Sequence, residues 1–130
     1  MLGMTPLPAA AKSKGQIIIV YRDDASNVRQ LKGTARYDGQ VGRDPSVAFT
    51  VANESGEQVC TGTLTSETRR AGKFSLTCFN GYFRGSGSYE RQAGDRASNF
   101  VARGQTAQGL PIMLVVGKVP GYESDKFLVP

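Results

Sequence analysis

Apolar and polar residues alternate through much of this chain in runs of strand length. Val47, Phe49 and Val51 interleave with Ser46, Ala48 and Thr50, the period-two pattern of a strand with one buried face. Residues 16–22 are rich in Ile and Val and read as a buried strand. Residues 110–117 form a continuous apolar run. Further strands are expected over 31–37, 46–52, 58–65, 73–79, 81–91 and 98–103. They are separated by turn signals at 41–45, Ser55-Gly56, Gly94-Asp95 within 92–96, and Gln108-Gly109. Residues 23–31 are expected to open with one helical turn capped by Asp24 or Ser26.

One stretch specifies its own register. Asn80-Gly81 lies between Cys78-Phe79 and Tyr82-Phe83, and Asn-Gly between alternating apolar residues is the strongest local signal for a two-residue type I′ hairpin. That turn sets Cys78 opposite Phe83, Leu76 opposite Gly85 and Phe74 opposite Gly87. Pairing the preceding strands about Arg69 sets Leu64 opposite Phe74, Gly62 opposite Leu76 and Cys60 opposite Cys78. Directly opposed residues share a face. Cys60, Gly62, Leu64, Phe74, Leu76, Cys78, Phe83, Gly85, Gly87 and Tyr89 therefore all point one way.

The fold class is all-β, an antiparallel meander of about eight strands. The inward glycines beside large residues suit the taper of a small closed barrel better than a sandwich. Phe74 lying over Gly87 would be an aromatic covering a glycine gap, the alternative being a sharp bend at an interior glycine. A chain of 130 residues is one domain, read here as residues 12–118 with a C-terminal tail at 119–130. Residues 1–11 are uncharged and end in Pro8-Ala9-Ala10-Ala11. Ala9 and Ala11 fit the small-x-small pattern of a signal-peptide cleavage site, although a basic start is missing. A cysteine pair in register, behind such a remnant, points to a disulfide and to a periplasmic or secreted protein. The chain is expected to be a monomer, and no apolar run approaches the ~20 residues of a membrane helix.

The chemistry that these residues exclude is extensive. The chain has no His, which removes the Ser-His-Asp and Cys-His arrangements. Two cysteines without His cannot complete a zinc site, so neither a metal nor a cofactor is expected. Gly85-Ser86-Gly87 begins like a dinucleotide-binding loop, but Glu90 stands at the third glycine and no helix follows. The acidic residues fall in turns or at solvent-facing positions. The expectation is a protein without catalytic machinery.

The outward face carries the remaining signal. Tyr82 and Arg84 have outward parity, Arg103 has it on the next strand, and Arg69, Arg70 and Lys73 cluster at one end. With a net charge of +5, these six residues form a candidate surface for an anionic ligand. No motif carries a family resemblance. Three function classes follow. The first is a binding or structural module of the cell envelope, facing an anionic glycan, lipid or protein, with nucleic acid disfavoured. The second is a lipocalin-like carrier of a small apolar ligand inside the barrel. The third is an enzyme using paired carboxylates, for which the sequence shows no pair.

Overall fold

The alternation in the sequence closes on itself. In the computed structural model, which describes residues 13–41, 43–91, 99–119 and 122, eight strands follow one another around a closed antiparallel barrel. They are β1 (Ser13–Arg22), β2 (Val28–Asp38), β3 (Ser46–Asn53), β4 (Gln58–Ser66), β5 (Ala71–Cys78), β6 (Phe83–Arg91), β7 (Phe100–Thr106) and β8 (Pro111–Val116). Each strand pairs with the next, and β8 returns to β1 with Ile17 opposite Val116, Ile19 opposite Leu114 and Tyr21 opposite Ile112. The barrel, rather than the sandwich, is the fold. The signal-peptide remnant expected at 1–11, the turn expected at 92–96 and residues 120, 121 and 123–130 of the expected tail lie outside the described residues.

The register expected for β4, β5 and β6 is the observed one. Cys60 pairs with Cys78, Gly62 with Leu76 and Leu64 with Phe74. Across the next seam, Phe74 pairs with Gly87, Leu76 with Gly85 and Cys78 with Phe83. Cys60 and Cys78 are disulfide-bonded, with Cα atoms 4.1 Å apart.

Two local expectations are corrected. The β5–β6 connection is four residues, Phe79 to Tyr82, and not two. Asn80 (φ 55°, ψ 35°) and Gly81 (φ 93°) are the central pair of a turn closed by the Tyr82 N–H donating to the Phe79 carbonyl at 3.1 Å, which is type I′ geometry. Phe79, however, also has a positive φ of 52°, so a single 3-10 turn (Phe79–Gly81) replaces the last expected strand pair. Its ring turns back towards the barrel mouth, within 6.3 Å of Tyr21 and 6.1 Å of Phe83 by ring centroids. Such a conformation costs a non-glycine residue about 1–2 kcal/mol, offset here by aromatic packing. The second correction concerns residues 23–31, which form no helical turn. Asp23, rather than Asp24 or Ser26, organises the bend, its Oδ1 accepting from the backbone N–H of Ala25 and of Asn27, both at 2.9 Å. A short acidic side chain thereby satisfies the backbone that a helix would otherwise have used, and β2 starts at Val28.

The lumen is filled by side chains. Ile17, Ile19, Phe49, Leu64, Phe74, Leu76, Phe83, Tyr89, Phe100, Ile112 and Leu114 belong to one buried cluster. The expected glycine gap at Gly87 does not exist. A Cβ there would lie 2.1 Å from the Arg103 carbonyl, and one at its partner Gly104 would lie 1.9 Å from the Ser86 carbonyl. The bare pair lets β6 and β7 approach closely. An aromatic does cover a glycine elsewhere: the Phe49 ring comes within 2.5 Å of a Cβ placed on Gly62, its direct partner.

A second, smaller cluster lies outside the barrel. Ile18, Val20, Met113 and Val115 are buried with Val119, and Val28, Val101 and Tyr122 pack against them. β1 and β8 are therefore covered on both faces, which accounts for their apolar runs. Val119 and Tyr122, read from the sequence as the start of a tail, pack on this wall. No helix among the described residues is long and apolar enough to cross a membrane.

Candidate functional site

Strand parity sends polar side chains to the outer wall, and the cations there are largely without acidic partners. Among the described residues Arg29–Asp23, at 2.9 Å, is the only ion pair. Asp23 is held below the usual carboxylate range, chiefly by the Asn27 backbone N–H and the Arg29 guanidinium. Lys14, Lys32, Arg36, Lys73, Arg84 and Arg103 are exposed on the strands.

The six residues singled out in the sequence do not form one site. Lys73 pairs with Ser88, and Ser88 with Arg103, so Lys73 and Arg103 lie in one row across β5, β6 and β7. Arg69 and Arg70 are exposed in the β4–β5 connection, where their carbonyls accept from Arg91. Arg84 pairs with Thr77, four residues along from Ser88 and so about 13 Å away along the strand. Tyr82 stands further off at the hairpin tip. Its hydroxyl donates to the Asp24 carboxylate, and that bond raises its pKa above the ordinary tyrosine value. Arg103 is engaged as well: its Nη2 donates to the Tyr122 hydroxyl at 2.6 Å, and its guanidinium carbon lies 5.8 Å from that ring's centroid. The adjoining concavity of about 420 Å³ is lined by Glu67 and Glu90 as well as Arg103, so its charge is mixed. Another concavity, of about 280 Å³ at the barrel mouth, is lined by Arg22, Asp23, Asp24, Tyr82, Phe83 and Thr106 among others.

A more uniformly basic concavity is one that sequence reasoning missed. It is an open groove of about 670 Å³ across β1, β2 and the β3–β4 turn. Lys14 and Arg36 are direct cross-strand partners there, Gln16 opposes Thr34, and Lys32 sits one row further along. All five side chains are exposed. Ala52, Asn53, Glu54 and Gly56 form the far wall. Two like charges placed directly opposite each other destabilise a sheet, so the Lys14–Arg36 pair costs stability unless an anion lies between them. The available signal was outward parity on both strands, but it required β1 to begin before residue 16.

Tyr37 carries a buried polar group. It is 3% exposed, and its hydroxyl has no hydrogen-bond partner among the described residues. Burial alone drives its pKa far above the tyrosine range. Among the described residues, no three or more His, Cys, Asp or Glu side chains are grouped as a metal site.

No family model matches the chain, and no curated protein matches it. Solved structures do resemble it in fold. A redesigned β-barrel, mFAP1, bound to DFHBI has a TM-score of 0.59 and 14% identity, covering 88% of this chain and 100% of that one. A second redesigned β-barrel, b11L5F_LGL, has a TM-score of 0.56 and 15% identity, covering 90% and 98%. A de novo designed fluorescence-activating β-barrel has a TM-score of 0.50 and 16% identity, covering 81% and 92%. At these identities the likeness is one of architecture: the class is the small, closed, antiparallel β-barrel.

Proposed function

We propose that this protein is an extracytoplasmic, non-catalytic binding module that holds an anionic polymer on the outer wall of its barrel. The observation that carries the reading is the distribution of charge: outward strand positions on β1 and β2 bear Lys14, Lys32 and Arg36, and none of these three belongs to the one ion pair among the described residues. The disulfide supports an oxidising compartment. The absence of histidine supports a role without acid–base chemistry. The packed cluster inside the barrel favours the wall over the lumen as the working surface.

Titration against heparin at about 20 mM and about 150 mM salt tests this. Binding should weaken steeply between the two, because each neutralised anionic group releases condensed counterions. No binding at the lower salt would overturn the proposal. The carrier reading draws on the likeness to a redesigned barrel bound to DFHBI. It requires large lumen side chains such as Phe49 and Phe74 to move aside for a ligand.

A further inference from the structure

We infer that the groove over β1 and β2 is the binding site itself, and that its ligand is a polysaccharide chain bearing sulfate or phosphate groups. This rests on the outer-wall reading and narrows it to one site. Lys14 opposes Arg36 directly, which puts their Cα atoms roughly 4.5–5.5 Å apart. An oxyanion between them meets a planar guanidinium fork on one side and an ammonium on the other. The same anion relieves the repulsion that the bare pair imposes on the sheet. Lys32 lies four residues from Arg36 on the same face of β2, about 13 Å along the strand. A single ion cannot span that interval, whereas an extended chain with repeated anionic groups can. Gln16 and Thr34 form the row between and offer hydrogen bonds to sugar hydroxyls.

The lining also discriminates among polyanions. It contains no aromatic ring, so bases find nothing to stack on. Phe79 and Tyr82, the exposed large apolar side chains, are engaged at the barrel mouth with Tyr21 and Asp24, and neither lines the groove. The groove thus lacks an apolar anchor for a lipid surface. Glu54 lies on the far wall and limits how closely a second anionic chain could approach.

The test uses the oxidised full chain, a heparin oligosaccharide, and single-stranded DNA as the competing polyanion. Calorimetric titration compares the native protein with Lys14→Ser/Arg36→Ser, Lys14→Glu and Arg84→Ser/Arg103→Ser. The first double variant should lower the slope of log affinity against log salt by about two and weaken heparin binding roughly tenfold or more. Lys14→Glu should also weaken binding, yet raise the melting temperature by roughly 1–4 °C, because it converts a like-charge cross-strand pair into an opposite-charge one. That gain separates loss of the site from loss of the fold. The β6–β7 variant should change affinity by less than about twofold, as expected for charges remote from the contact. Equal weakening by both double variants, or weakening confined to the β6–β7 variant, overturns the groove assignment while leaving wall binding intact. DNA binding tighter than heparin overturns the polysaccharide assignment. An absence of any heparin binding by the native protein removes the outer-wall reading on which the inference rests.

Discussion

Removal of the Cys60–Cys78 bond should cost this barrel a large fraction of its stability. The bond closes a loop with a sequence separation of 18. In a chain-entropy treatment, cross-linking a loop of that length is worth about 3 kcal/mol. Cys60 and Cys78 are also 2% and 0% exposed, so Cys60→Ala/Cys78→Ala leaves voids where two sulfurs packed, at up to about 1 kcal/mol each. The double variant should therefore lose about 3–5 kcal/mol, against the 5–15 kcal/mol typical of a domain. Reduction of the native protein removes the cross-link but keeps the sulfurs, and should cost only the first ~3 kcal/mol. Urea unfolding measures both. With a denaturant slope of roughly 1–3 kcal/mol per molar, the midpoint should fall by about 1–3 M on reduction, and further in the variant. A loss below about 1 kcal/mol on reduction would refute the loop-closure argument. It would mean that the β4–β5–β6 hairpins persist in the unfolded ensemble and already hold the cysteines together. Two thiols that alkylate freely in the native, oxidised protein would refute the bond itself.

Tyr37→Phe should raise stability by roughly 1–2 kcal/mol, since it deletes a buried hydroxyl without a partner; a lowered melting temperature would reveal an unseen hydrogen bond. The native protein should hold its full Tyr37 contribution below about pH 10 and lose stability above it, because the unfolded chain ionises there while the buried hydroxyl does not; Tyr37→Phe should flatten that alkaline limb of the stability profile. Phe49→Ala should cost about 3–5 kcal/mol and open a space beside Gly62. Because the buried cluster occupies the native lumen, only this variant, and not the native protein, should bind a small apolar fluorophore with saturation.

The parts of this fold that were legible in the sequence are those where two local signals set the register of two adjoining seams. Asn80-Gly81 aligned β5 with β6, and the cysteine spacing aligned β4 with β5. The pairing partner of each inward residue followed from period two alone. Side-chain conformation did not. Nothing in the spacing of Phe79 announces a positive φ, because that choice is made by the rings of Tyr21 and Phe83, which arrive from other strands. The filling of glycine gaps was misassigned for a related reason. Phe74 was the aromatic directly opposite Gly87 in the known register, whereas the glycines that aromatic rings do cover are Gly62, under Phe49 from β3 across a seam that no turn signal had fixed, and Gly72, under Tyr89. The basic groove was missed because its Lys14–Arg36 pair joins the start of β1 to the end of β2. Lys14 precedes the apolar run by which β1 was recognised, so its parity was never assigned.

The seam between β1 and β8 has a consequence for the order in which the protein assembles. Seven seams join strands consecutive in the chain, and each can form as a hairpin once its second strand exists. The eighth must wait for the last strand, since Ile17 pairs with Val116. Until β8 arrives, the Ile17–Val20 edge of β1 presents unpaired backbone beside four consecutive apolar side chains, a template for pairing with another molecule. A chain interrupted before Pro111 is thus an aggregating species, not a smaller barrel. Completion of β8 is the event that converts an adhesive sheet into an edgeless one.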